Sequence, residues 1–482
     1  MNRRDFVGYL GAGAAALGVV GKAQAQGPLP TSSRELWQLA RLQPMLDSDL
    51  VWLDTAGGAP SLRSVLIEEY RQREAFSRDL ERFLREQGSA EAVRQLLTPI
   101  GQFLGTDVES IALLSGATEA LNTIAAGIDL AAGDEILTTV HEHPASVSPW
   151  LLAAKRRGVK LVQIPLPQPI MAPEQIVGAF RAAFTDRTRV VSFSHVQYTD
   201  GCVLPVRELC ELARSHNALS IVDGAQALGM VATSLQTLGA DFYVSSFYKW
   251  LNGPVGVGVL VLSPGGRFRL WPLIVGSEDD WGGPPTPATT PAPTTGQAPT
   301  TARASMAPQS PATSQATTSE SAPVAPVSTL PPENAPPRAA ANARAGWPMS
   351  ARKFSAAFTQ LSPLALSVLP AIAFQQEIGT ERISARIREL AWYLRLGLQR
   401  LPGVQVLTPA HPSLWAGIVS FRIPGTDGAA LAKQLAERER IAVSFVQQPS
   451  GGIEVLRACP HIYNDFADLD RLVAALRRAL HA

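Results

Sequence analysis

Cysteine, excess charge and long apolar runs are all scarce in this chain. Only three of its 482 residues are cysteine, which excludes a disulfide-stapled scaffold. Charged side chains make up 17% of the sequence, against roughly 25% in an average soluble domain. Forty-two basic residues face 41 acidic ones, for a net charge of +1. A nucleic-acid binder usually carries a basic surplus or stripe, so this balance speaks against such a partner. No apolar run reaches the length of about 18 residues needed to span a bilayer, apart from a soft Gly/Ala-rich stretch near the N-terminus. What the chain does have is 46% hydrophobic residues, enough at this length for a sizeable core and two or three domains.

Two segments stand apart from the folded remainder. Residues 1–26 open with Arg3 and Arg4 side by side, continue through a weakly apolar stretch from Val7 to Gly21, and end at Ala23-Gln24-Ala25. This is the pattern of a twin-arginine (Tat) signal peptide cut after Ala25. It predicts the Tat export machinery as a partner, a periplasmic location and no membrane anchor after cleavage. Residues 282–345 are rich in Pro, Thr and Ala and nearly devoid of large apolar side chains. Such a tract cannot bury enough surface to offset its ordering entropy, so a disordered insertion is expected.

The rest alternates short apolar runs with helical stretches. Runs at Ile111–Leu114, Glu135–Val140, Lys160–Ile164, Val190–Phe193, Ser220–Val222, Phe242–Ser245 and Val255–Leu262 are separated by helical patterns at 117–128, 147–157 and 206–216. That spacing predicts βαβ units: an α/β domain over 27–281 with a mostly parallel central sheet and helices on both faces. Over 346–482 the pattern shifts to long helices (363–378, 380–401), short strands near Ile418–Ile423 and Glu454–Cys459, and a terminal helix from Asp465 to His481. A smaller α+β domain is expected there.

Three windows in the α/β part carry chemistry. SGATEALN (115–122) follows a strand and opens a helix, whose free amides and dipole favour an anion near Ala117 and Thr118. LSIVDGAQ (219–226) delivers Asp223 at a strand's carboxyl end, where open α/β sheets bind ligands, with Gln226 three residues on. FYVSSFYKWLNGPVGVGV (242–259) places Lys249 among Phe247, Tyr248 and Trp250. A lysine desolvated in this way has a lowered pKa and can act as a Schiff-base nucleophile. Phosphate seat, strand-end acid and reactive lysine in that order suit pyridoxal 5'-phosphate.

The order and spacing of these motifs resemble the class V aminotransferase-like enzymes of fold type I, which include cysteine desulfurases, kynureninases and isopenicillin N epimerases. The resemblance covers about residues 45–480 outside the Pro-rich tract. It implies that Lys249 forms the Schiff base, that Asp223 pairs with the pyridine nitrogen and that Gln226 contacts the phenolic oxygen. It also implies that Ala117, Thr118 and Ser246 hold the phosphate, with Tyr248 where many relatives carry a histidine. FTQ at 358–360 resembles the site whose threonine reaches a partner subunit's phosphate, so Thr359 and a homodimer are implied. HEHPASVSPW (141–150) resembles the ring-stacking region, leaving His143 or Pro144 for that place, and SHVQYTDG (194–201) puts Tyr198 where desulfurases have an asparagine. LRACPHIYND (456–465) resembles the substrate-carboxylate clamp, with Arg457 as its guanidinium, and DTAGGAP (54–60) resembles a loop lining the substrate pocket. No metal is expected, because His141 and His143 lack a further ligand cluster.

In desulfurases the sulfur-accepting cysteine lies before the C-terminal strand, but the matching stretch here, IAVSFVQQPSGG (441–452), has none. Persulfide chemistry is therefore disfavoured. The combined expectation is a periplasmic enzyme acting on the amino group of an amino acid or peptidic metabolite, by transamination or epimerisation through a Cα carbanion. Export together with this fold resembles the family members that modify pyoverdine-type siderophores. A β-eliminating C–S lyase of the same fold and a non-catalytic exported binding protein using its Pro-rich loop are the alternatives.

Overall fold

The computed structural model describes residues 33–275, 351–355, 362–448 and 452–481. The export signal, the Pro-rich tract and Thr359 lie outside the described residues.

Seven strands build the large sheet: β1 Ile111–Leu114, β2 Glu135–Thr139, β3 Lys160–Ile164, β4 Thr188–Ser194, β5 Leu219–Asp223, β6 Phe242–Ser246 and β7 Gly258–Leu262. Their order is β1-β7-β6-β5-β4-β2-β3. All neighbours are parallel except β7, which runs antiparallel to both β1 and β6. The strands read as continuous apolar runs because both faces are covered. Alternate residues of one strand enter different cores: Ile111 and Leu113 pack with Val206, Leu209 and Cys210 on one side. Ala112 and Leu114 pack with Ala120, Leu121, Ile124 and Trp150 on the other. This division follows from the two-residue period of a strand. Helices Ala117–Gly127 and Pro144–Arg157 thus cover one face and Val206–Ser215 the opposite one.

The C-terminal part is a four-stranded antiparallel sheet of β8 Gln405–Val406, β9 Val419–Arg422, β10 Ser444–Gln448 and β11 Ile453–Ala458, in the order β10-β11-β9-β8. Leu390, Leu394 and Leu398 from helix Thr380–Gln399 join Leu469, Leu472 and Leu476 from helix Phe466–His481 over it. The single helix expected over 363–378 is two, Pro363–Leu366 and Leu369–Ile378. Pro370 has no N–H to donate to Leu366, so a continuous helix would lose a bond and clash there. Among the described residues no helix is long and apolar enough to cross a membrane.

Candidate active site

The parallel strands of the large sheet end on one side, and the small sheet leans over those ends. A cavity of about 310 Å³ lies between them, at the low end of small-molecule sites, which run from about 300 to 1,000 Å³. Every predicted site residue within the described part lines it: Ala117, Thr118, His143, Tyr198, Asp223, Gln226, Ser246, Tyr248, Lys249 and Arg457. Asp54, Ala56 and Gly57 of the 54–60 loop join them. Pro144, the other residue considered for ring stacking, begins helix Pro144–Arg157 and is not part of the wall.

Asp223 is the last residue of β5 and is buried. Its Oδ2 accepts the Ser146 hydroxyl at 2.6 Å and its Oδ1 the Ala225 amide at 2.9 Å. Both of its oxygens are thus held in place by donors on neighbouring segments. Behind it lies Glu142, fully buried, which accepts hydroxyl hydrogen bonds from Thr139 at 2.7 Å and from Ser194. Burial pushes its carboxyl up to about 7; the two hydroxyls oppose that rise and the Asp223 charge adds to it.

Lys249 lies three residues past β6 and is buried, with Tyr248 beside it in the cavity wall. Its Nζ makes no hydrogen bond or ion pair among the described residues and sits 5.9 Å from the centre of the Tyr248 ring. Desolvation lowers its pKa to about 8, against an upward pull from Asp223 and with a further downward push from Arg457. The result is a buried amine with a substantial neutral fraction near physiological pH.

The anion seat forms where β6 meets the helix Ala117–Gly127. Gly116 caps that helix with no side-chain hydrogen bond, and the Ala117 amide donates to Ser246 Oγ at 2.9 Å. Close approach of β7 explains the glycine at its start. A Cβ on Gly258 would stand 2.4 Å from Gly116 Cα and 2.7 Å from the Ser245 carbonyl oxygen. With Thr118 on the same wall, these groups could hold a phosphate.

Gln226 is held from both ends: its Nε2 donates to the Ala56 carbonyl at 2.9 Å and its Oε1 accepts the Trp250 indole at 2.9 Å. His143 caps helix Pro144–Arg157, its Nδ1 accepting the Ala145 amide at 3.1 Å, and its ring meets Tyr198 edge-on at 5.0 Å. At this cavity mouth partial burial, then the Lys249 charge, hold the imidazole pKa below its ordinary value. The Tyr198 hydroxyl donates to Gln448 Oε1 at 2.7 Å, and burial raises its pKa to about 12. Gln448 Nε2 in turn donates to the Glu142 carbonyl at 2.9 Å, tying β10 to the large-domain wall.

Arg457, on β11, is buried and holds three acceptors: the Tyr198 carbonyl at 2.8 Å, Ser444 Oγ at 3.1 Å and Asp54 Oδ1 at 3.4 Å. The guanidinium is therefore aimed into the cavity and paired with an internal carboxylate. Ser146, Glu142, Ser194 and Ser444 are parts of the site that the motifs did not single out, while Asp54 belongs to the 54–60 loop expected to line the pocket. Ser146, one helical turn after His143, had a findable signal in that spacing. Cys210 is buried in the core, and burial pushes both it and Cys459 up to about 12. No cysteine lines the cavity, and no metal-binding cluster of three or more His, Cys, Asp or Glu occurs among the described residues.

An amine, a charged acid and an open helix N-terminus on one cavity wall fit the pyridoxal phosphate donor set. The comparisons agree with that chemistry. The aminotransferase class-V family model matches residues 51–280 and 344–472. The isopenicillin N epimerase of Streptomyces clavuligerus is 32% identical over 441 residues, 91% of this chain and 97% of that protein. The isopenicillin N epimerase of Amycolatopsis lactamdurans is 31% identical over 454 residues, 92% of this chain and 98% of that protein. Among solved structures, a C-DES variant with glycine covalently linked to its PLP cofactor superposes with a TM-score of 0.66. It is 23% identical and spans 89% of this chain and 97% of its own; at that identity the likeness speaks for the fold.

Proposed function

Because the chain belongs to the class-V aminotransferases, a family of pyridoxal phosphate enzymes, we propose that it removes the Cα proton of an amino acid or of an amino-acid end of a peptidic metabolite. The observation that carries this reading is the convergence of Lys249, Asp223 and Arg457 on one cavity of about 310 Å³. When bound, pyridoxal phosphate supplies an aldehyde that takes up an amine and a ring that spreads negative charge from Cα. The helix N-terminus at Ala117 with Thr118 and Ser246 would hold its phosphate, and Gln226 would be the residue for its phenolic oxygen. Asp223, oriented by Ser146 and Ala225, keeps the ring nitrogen protonated. His143 lies against the ring. Lys249 holds the aldehyde, and once displaced its Nζ accepts the Cα proton, a role suited to an amine whose pKa burial has brought down to about 8. Arg457 grips the substrate carboxylate.

Return of the proton to the opposite face of Cα gives epimerisation, and its return to the cofactor carbon gives transamination. The likeness to two epimerases over nine-tenths of the chain favours the first. The double arginine at positions 3 and 4 supports action in the periplasm after twin-arginine export, on a substrate such as a siderophore peptide. A homodimer in which Thr359 completes the partner's site is part of the same proposal. The test is incubation of the holoenzyme with amine and amino-acid libraries in deuterated water. Deuterium at Cα with inversion supports epimerisation, and a requirement for a keto-acid acceptor supports transamination. Release of ammonia and a keto acid without an acceptor points instead to β-elimination, and no exchange at all refutes the proposal.

A further inference from the structure

Trp250 follows Lys249 directly and is wholly buried, yet it does not line the cavity. It is held at both main chain and ring. Its carbonyl oxygen accepts Gln375 Nε2 at 3.2 Å and His461 Nε2 at 3.0 Å. A Cβ on Gly229 would stand 2.5 Å from that oxygen, and one on Gly417 would stand 2.7 Å from Trp250 Cη2, so backbone and ring are both closely packed. The one polar group of the ring, the indole N–H, donates to Gln226 Oε1 at 2.9 Å.

That bond decides which end of Gln226 the cavity meets. An indole N–H can only donate, and a peptide carbonyl can only accept. The Gln226 oxygen therefore faces Trp250 and its nitrogen faces the Ala56 carbonyl, at 2.9 Å. Turned over, the amide would set two donors together at one end and two acceptors at the other. Ala56 lines the cavity and Trp250 does not, so the nitrogen is the end on the cavity side. One of its two hydrogens goes to Ala56, and the other has no partner among the described residues. The indole bond also polarises the amide, which strengthens that second N–H as a donor. We propose that Trp250 is a positioning residue: its indole N–H fixes the Gln226 amide so that an N–H, and not the oxygen, is presented to the phenolic oxygen of the bound cofactor and holds that oxygen as an anion. The proposal rests on the role given to Gln226 above.

The test uses the holoenzyme and follows the visible absorbance of the Lys249-linked cofactor against pH. The band changes when the linkage nitrogen loses its proton, which leaves the phenolic oxygen with the full negative charge. A donor to that oxygen favours the deprotonated state and so sets the transition at lower pH. Gln226→Met keeps the side-chain length and removes the donor, so the transition rises by about one pH unit, the scale of one hydrogen bond to a charged group. Trp250→Phe raises it in the same direction by a smaller amount. Benzothienylalanine at position 250 keeps both rings and lacks only the N–H; it gives the same shift and serves where Phe leaves the core underfilled. In the Gln226→Met background the changes at position 250 add nothing, because the amide they orient is gone. A packing role alone does not produce that dependence. A shift at position 250 of equal size in both backgrounds, a shift to lower pH, or no shift beside the native Gln226 overturns the proposal. A transition that Gln226→Met leaves unmoved overturns the reading of Gln226, and this proposal with it. A wild-type protein without the visible band overturns the cofactor assignment itself.

Discussion

Asp223→Asn isolates one charge in a site whose packing it leaves unchanged. Asp223 and Asn have the same shape, and both oxygens of the carboxylate are already bonded, to Ser146 Oγ at 2.6 Å and the Ala225 amide at 2.9 Å. In the variant the carbonyl oxygen still takes the Ala225 amide, and the Ser146 hydroxyl can turn to accept from the new amide. The fold therefore loses little, and apoprotein unfolding should stay close to wild type. The loss falls on the cofactor. A hydrogen bond between a protonated ring nitrogen and a carboxylate is worth about 1.5–3 kcal/mol more than its absence, so cofactor affinity should drop about 10- to 150-fold. Turnover should fall further, since a ring without its proton is a weaker sink for negative charge. Titration of apoprotein with pyridoxal phosphate gives the affinity, and turnover measured at saturating cofactor separates the two losses. Ser146→Ala removes one of the two donors and should show a smaller drop in the same direction. Unchanged affinity and turnover in Asp223→Asn, with a wild-type unfolding curve, would refute the pairing of this carboxylate with the ring.

Two further outcomes follow from other groups in the site. Lys249→Ala should bind cofactor without forming a borohydride-stable adduct at that position; an adduct that persists there in peptide mapping reassigns the reactive lysine. Burial raises the Glu142 carboxyl to about 7 from its ordinary 4.5, so between those pH values the folded protein keeps a proton the unfolded chain has lost. Its contribution is full below about 4.5 and falls as pH rises to about 7, by an amount on the order of 3 kcal/mol at most. Glu142→Gln cannot ionise, so its stability relative to wild type should grow from pH 5 to pH 8 in denaturant unfolding. A difference independent of pH contradicts a buried, protonated Glu142.

The legible parts of this molecule are those whose causes are local. Most strands of the large sheet were visible because burial on both faces makes them rich in apolar residues, as in the wholly buried Leu219–Asp223 and Phe242–Ser246. Strand ends then located Asp223 and Ser246, and the aromatics flanking Lys249 marked an apolar stretch in which Phe247, Lys249 and Trp250 are all buried. The small domain was harder to read. β8 is two residues long, and the helix Gly428–Glu439 buries only Leu431 and Leu435, too few for a periodic signal. The 363–378 helix was misjudged because its apolar period continues through Pro370, where the backbone cannot.

The pairings inside the site belong to a different class of information. Asp54 and Arg457 meet across 403 positions of chain, Tyr198 and Gln448 across 250, and Ser146 and Asp223 across 77. Nothing adjacent to any of these residues requires the contact, because each is satisfied only when a strand and a loop or helix arrive together. The consequence is physical as well as inferential. A buried cation such as Arg457 is costly without acceptors, and it takes them from Ser444, its direct partner on the neighbouring strand β10, from Asp54, on a segment bridged to Cys459, and from the Tyr198 carbonyl, which arrives from the large domain. Of the three acceptors, the Tyr198 carbonyl is the one that depends on docking of the small sheet on the large one. A change that loosens that docking, such as Gln448→Leu, which removes the hydrogen bonds to Tyr198 and to the Glu142 carbonyl, should raise KM for carboxylate substrates more than it lowers cofactor affinity. Equal losses in both would mean that the clamp and the cofactor seat are one rigid unit.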